Sequence, residues 1–420
     1  MALQQQRLRG LIAAAALLGC GAAGEGPDEI SRYLDDPGFR RETLVRSLVA
    51  PQTPYAQLRL RRYATGDAQD WSALPVWDPP AAPLREGGEV SEPARPLGVA
   101  PEATRGDLAA LRALGERAFW RYPAQLAPDA VARATSEPDR LEAAGFSREG
   151  GALVGLLRVR LPDGGDGVAL SCAACHAGRL ADGSLAPGLA NDRLDLGALS
   201  ARDVADPSLA ARLRAWGPGR VDVTTGDGSE PVAIPDLRPV RFQRFLHRAG
   251  AVEQRSLASL AVRVETLLIT SLHGAVRPPR EVAAGLAVYL YGLGDAMQTT
   301  AAQGDGARVF AERCARCHAG EGMSGGLVAA DEVGTDPAIA RSVERGTGSY
   351  RVPSLRGVGA RRGLLHDGAA RDLEALLDPR RLDPGYAGGR RGVGAIPGHA
   401  FGLELSGEAR EALVGFLSTR

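Results

Sequence analysis

The sequence predicts a mainly α protein built as two tandem domains from an internal duplication. An extended N-terminal arm precedes them, and a small β-hairpin is inserted in the first. Three observations predict this. The pentapeptide Cys-x-x-Cys-His occurs twice, at Cys172 to His176 and at Cys314 to His318. Similar stretches precede and follow each pentapeptide in the same order, the signature of a duplication. Each copy closes on an apolar pattern of helical period. The expected boundaries are a leader over 1–20, an arm over 21–100, a first domain over 101–297 and a second over 298–420.

The leader has a positive start (Arg7, Arg9), an apolar run from Leu11 to Leu18, and Leu17-Leu18-Gly19-Cys20. That ending resembles a bacterial lipobox, in which Cys20 is lipidated and becomes the new N-terminus. The bland alternative is a leader cleaved elsewhere, with Cys20 incidental. The run is far shorter than the roughly 20 residues a spanning helix needs. The address expected is periplasmic, with the membrane reached by a lipid anchor only.

Residues 21 to about 100 carry many prolines and read as an extended arm or tether, with one amphipathic helix at Phe39 to Val49. Trp71 and Trp77 read as packing anchors. The first copy opens with Leu114-Gly115-Glu-Arg-Ala118-Phe119 and the second with Gly304-Asp-Gly306-Ala-Arg-Val309-Phe310. In the first, an insertion from Tyr122 to Leu170 delays the pentapeptide, and Leu153 to Ala169 reads as a hairpin around Asp163-Gly-Gly-Asp-Gly. The later blocks are Ile234-Pro235-Asp-Leu237-Arg238 with Phe245-Leu246-His247, and Val352-Pro353-Ser-Leu355-Arg356 with Leu364-Leu365-His366. The closing helices are expected at Pro279 to Leu293 and Ser406 to Ser418.

Cys-x-x-Cys-His is the attachment signature of a c-type haem. Both thiols of one helical turn reach the porphyrin vinyl groups. The histidine, four positions after the first cysteine, lies on the same face and supplies the proximal imidazole. Two covalently bound haem c groups are therefore expected, attached at Cys172, Cys175, Cys314 and Cys317, with His176 and His318 on the irons. A thioredoxin-like pair is not usually followed by histidine, and zinc knuckles set their cysteine pairs much closer together.

Four of the six histidines remain for other work. His247 and His366 occupy equivalent places in the two copies, so each is a candidate sixth ligand, or else a partner for a propionate or a carbonyl. Met323 follows His318 too closely to cross the ring and reads as packing. His273 reads as a solvated or helix-capping residue, and His399 as a loop that touches a haem edge. The formal net charge is zero, with 50 basic residues and 50 acidic ones, so nothing points to nucleic acid.

From Asp107 onward the chain resembles the di-haem cytochrome c peroxidase and MauG superfamily, including its rubber-oxygenase-like relatives. The resemblance rests on Val352-Pro353-Ser-Leu355-Arg356-Gly-Val358 and Leu365-His366-Asp367-Gly368 through Leu373-Glu374. It implies two cytochrome c-like domains packed face to face, an N-terminal haem that activates peroxide or dioxygen, and a C-terminal haem that relays electrons. A redox partner protein or a quinol-linked chain would supply them. Where the peroxidases carry a ligand methionine this chain has Leu365, and their bridging tryptophan is absent from Phe245-Leu246-His247-Arg248. Trp216 is the nearest substitute bridge, against plain packing. Asp192, Arg193 and Asp195 are candidates to handle protons, against a solvated turn with a helix cap. The alternative function is a membrane-tethered carrier with two six-coordinate haems.

Overall fold

Gly115 lies where two helices cross, and the crossing explains why it is glycine. Helices Leu108–Arg121 and Arg280–Gly292 approach so closely that a Cβ on Gly115 would overlap the Gly285 carbonyl. The second half repeats the arrangement. Helices Asp305–Arg313 and Gly407–Ser418 meet at Gly306, where a Cβ would overlap the Ala412 carbonyl. An aromatic pair braces each crossing: Phe119 with Tyr289 at 5.6 Å between ring centroids, and Phe310 with Phe416 at 5.4 Å. Such pairs contribute about 1 kcal/mol beyond the area they bury.

These features come from a computed structural model that describes residues 27–63, 70–85, 95–98, 106–222, 228–297 and 303–420. The architecture is mainly α with small antiparallel sheets. Cys20 lies outside the described residues, and among those described no helix is long and apolar enough to cross a membrane.

The N-terminal segment corrects the expectation of an extended arm. Residues Pro27–Asp35, Pro37–Ser47 and Pro54–Tyr63 are helices. Their prolines stand at the first helical position, where the missing N–H costs nothing and the fixed φ suits the turn. Pro37–Ser47 is the helix expected at Phe39 to Val49, whereas Pro27–Asp35 and Pro54–Tyr63 stand where an extended arm is expected. The three helices dock on Leu257–Ser271, burying Ile30, Tyr33, Leu44, Tyr63 and Trp71 in one core with Leu260, Val264 and Leu268. Tyr33 donates to the fully buried Glu265 at 2.7 Å, and Arg280 stands 3.4 Å from the same carboxylate. Trp71 is wholly buried, in keeping with its expected anchoring role.

The expected hairpin forms from Ala152–Arg160 and Asp166–Leu170 and turns at the Gly164 region. Strand Ala81–Arg85 adds to its outer edge and Gln125–Leu126 to the other. The sheet presses on the first pentapeptide. Gly155 has φ +73°, and a Cβ there would overlap Ala174.

Candidate functional site

Each pentapeptide begins in a helical turn, and its histidine is oriented in the same way. In the first, Ser171 caps the turn Cys172–His176, and the His176 imidazole donates from Nδ1 to the Pro235 carbonyl at 3.0 Å. In the second, His318 donates from Nδ1 to the Pro353 carbonyl at 3.1 Å, with the Met323 carbonyl at 3.2 Å. Pro235 and Pro353 belong to the repeated Ile/Val-Pro blocks, so those blocks exist to aim the histidines. Spending Nδ1–H on a carbonyl leaves Nε2 as the free donor atom, which is how ligating imidazoles are commonly held. Burial pushes both imidazoles down to about 4, so each is neutral and able to ligate at neutral pH.

Burial leaves the thiols poorly suited to redox exchange. Burial raises Cys172 to about 12, Cys175 to about 11 and Cys314 to about 11. An exchanging thiol needs the opposite shift. Among the described residues no three His, Cys, Asp or Glu side chains converge as a metal cage. The four described cysteines, Cys172, Cys175, Cys314 and Cys317, are free thiols.

The second site lies in a large cavity lined by Cys314, Cys317, His318, Leu365, His366, His399 and Phe401, and by Asp192, Ile234 and Asp236 of the first half. His399 faces His318 across it, with ring centroids 6.4 Å apart. A metal held between two imidazole nitrogens at roughly 2 Å each would set the centroids about 6 Å apart. His399 is half-buried, with φ +47° and its Nδ1 buried and unpartnered. Arg381, itself fully buried, fixes its loop by donating to the carbonyls of Leu376 (2.7 Å), Gly398 (2.7 Å), His399 (2.9 Å) and Ile396. From its sequence context His399 is expected only as a loop contact to a haem edge. The spacing offered no signal, because the loop is brought in by Arg381 and by the His399 N–H to Val333 carbonyl bond at 2.7 Å.

His366 shares the cavity, but its ring stacks on Tyr350 at 4.8 Å and its carbonyl accepts from Ala233 N–H at 3.0 Å. His247 is not the structural equivalent of His366, which corrects the sequence alignment by one residue. The tight loops pair Leu246 with Val252 and Leu364 with Ala370, so His247 matches Leu365 and Arg248 matches His366. His247 (φ +65°) and Leu365 (φ +72°) accordingly share the left-handed backbone. Arg248 makes the matching exchange across the halves, its carbonyl accepting from Arg351 N–H at 3.0 Å. The His247 ring meets Tyr55, and its Nε2 takes the Tyr55 hydroxyl at 3.2 Å and the Arg263 guanidinium at 2.9 Å. Its free lone pair is thereby committed to Arg263.

One buried ion pair joins the two histidine supports. Asp236, next to Pro235, accepts from Arg361 at 3.0 Å and from Arg238 at 2.7 Å. Arg361 donates in turn to the carbonyl of Ser354, next to Pro353, at 2.8 Å. Burial would raise the Asp236 carboxyl, but Arg361 and Arg238 outweigh it and hold it below the usual range.

The remaining candidates take structural work. Trp216 donates from Nε1 to the Gly228 carbonyl at 2.8 Å and packs with Leu213 and Ala210. Asp195 caps the helix Leu196–Ala201 through Ala198 N–H at 2.8 Å, and Arg193 N–H bonds Asn191. Asp192 faces the cavity, its carbonyl held by Arg390 at 2.7 Å. Met323 contributes its backbone carbonyl to His318, and His273 gives its carbonyl to Arg62 at 2.8 Å.

No protein-family model matches the chain, and no curated protein matches it.

Proposed function

We propose that the chain is a periplasmic di-haem c-type cytochrome, acting as an oxidoreductase of the di-haem peroxidase and MauG type. The observation that carries this is the repetition: each Cys-x-x-Cys-His turn has its histidine oriented by a proline carbonyl at about 3 Å. One haem c would be held by Cys172, Cys175 and His176, the other by Cys314, Cys317 and His318. Haem c supplies one-electron chemistry and, where a coordination position is open, activation of peroxide or dioxygen.

The two halves then divide the work. In the second, the spacing of His318 and His399 favours His399 over His366 as sixth ligand, and a six-coordinate iron suits electron relay. In the first, His247 has its acceptor nitrogen committed to Arg263, which favours an open position for a small oxidant. Electrons would arrive from a redox partner protein or a quinol-linked chain at a membrane to which Cys20 anchors the protein by lipid.

The test is protein expressed in a host that matures c-type cytochromes. A mass increase of two haems is expected. The oxidised spectrum should contain one high-spin and one low-spin iron, the former binding cyanide. Colourless protein sinks the cofactor assignment. Two low-spin irons inert to cyanide and carbon monoxide make the protein a carrier instead.

A further inference from the structure

The N-terminal helices do more than cover the first half, because they bring charge to a place that has no countercharge. Helix Pro54–Tyr63 places Tyr55 and Arg59 against His247, and Tyr55 N–H bonds the Glu344 carbonyl of the second half at 3.0 Å, next to Arg345. Arg59 lies over the Tyr55 ring at 3.6 Å, and Arg263 bonds His247 at 2.9 Å. Arg59 and Arg345 are only 5% and 6% exposed. Arg59, Arg263 and Arg345 thus meet one imidazole at the junction of three parts of the chain, and together with Arg351 they act on it electrostatically.

Arg59 donates from Nη1 to the Tyr55 carbonyl at 3.3 Å and Arg263 from Nη2 to His247, but part of their hydrogen-bonding capacity is left over. Arg59 Nε, Arg263 Nη1, Arg345 Nη2 and His247 Nδ1 are buried without a partner, and no carboxylate is paired with any of the three arginines among the described residues. Arginine can only donate, so His247 Nε2 must accept and the neutral ring carries its proton on Nδ1. Every orphaned atom is therefore a donor. Buried donors and buried unpaired cations are costly, and an acceptor of negative charge would offset that cost.

We propose that Arg59, Arg263, Arg345 and His247 Nδ1–H form a buried binding site for a carboxylate-type oxyanion, closed by the N-terminal helices. Two sources carry this chemistry: a propionate of the first haem or a small soluble carboxylate. The site itself does not depend on a haem; only the propionate source rests on the function proposed above.

The experiment uses the full-length matured protein and the variants Arg59→Gln and Arg345→Gln, in a buffer free of carboxylates, with acetate as probe. If the occupant is soluble, calorimetry shows wild type binding one acetate with a rise in melting temperature, and both variants lose at least tenfold in affinity. If the occupant is a propionate, acetate does not bind. Both variants then melt lower than wild type and shift the reduction potential of the first haem while leaving the second unchanged. The proposal is overturned if wild type binds no acetate and the variants melt at or above the wild-type temperature with both potentials unmoved, because removing an unpaired buried charge stabilises a fold. Acetate binding by a colourless preparation would retain the site while the haem reading fails.

Discussion

Replacing Asp236 by asparagine tests whether the two halves are locked through their histidine supports. The Asp236 side chain is 3% exposed and its partners Arg361 and Arg238 are 13% and 16% exposed, so the charges are screened little by water. Breaking a buried pair by removing one partner costs about 3–5 kcal/mol. Asparagine keeps one acceptor oxygen and Arg361 keeps its bond to Ser354, so the lower end, about 3 kcal/mol, is expected. At 2–4 °C per kcal/mol this lowers the melting temperature by roughly 6–12 °C. The pH dependence carries the sign. A carboxylate held below its usual range stabilises fully above the unfolded value near pH 4, and loses that effect as pH falls through the lowered folded value. The gap between wild type and Asp236→Asn should therefore be full at pH 7 and shrink below about pH 4. Thermal melts by circular dichroism at pH 7 and pH 3 measure it. A variant that melts within about 1 °C of wild type at pH 7 refutes the reasoning.

Three further outcomes follow from the same geometry. His399→Ala should convert the second iron to high spin and His366→Ala should not, read from the oxidised absorption spectrum; Arg381→Gln, which frees the His399 loop, should give a partial conversion. Gly306→Val forces a side chain into the Ala412 backbone and should destabilise the second half by about 3 kcal/mol or more, seen in urea unfolding, whereas the same change at exposed Gly415 should be tolerated far better. Trp216→Phe removes one bond to the Gly228 carbonyl and should cost about 1 kcal/mol in the same assay, leaving the inter-haem electron-transfer rate unchanged.

Much of the fold was legible because it is written in local chemistry. The hairpin and the closing helices follow from residue types at fixed spacing, and they lie within a residue or two of where the pattern put them. Of the N-terminal helices only Pro37–Ser47 was legible, from its amphipathic pattern; Pro27–Asp35 and Pro54–Tyr63 were not, because a proline looks like a breaker until it is seen to open a helix. Asp195 and Trp216 stayed ambiguous, since a carboxylate that caps a helix and one that moves protons have the same sequence.

By itself the sequence determined the two Cys-x-x-Cys-His turns and the proline-containing blocks that serve them, because thiol and imidazole spacing along one helical turn is a local matter. Only the tertiary structure decided what stands opposite each histidine. It brought His399 to His318 through a loop clamped by Arg381, moved His247 one residue out of its apparent register, and gathered Arg59, Arg263 and Arg345 around it from distant parts of the chain. Such meetings depend on how whole elements pack, and no short-range pattern encodes them.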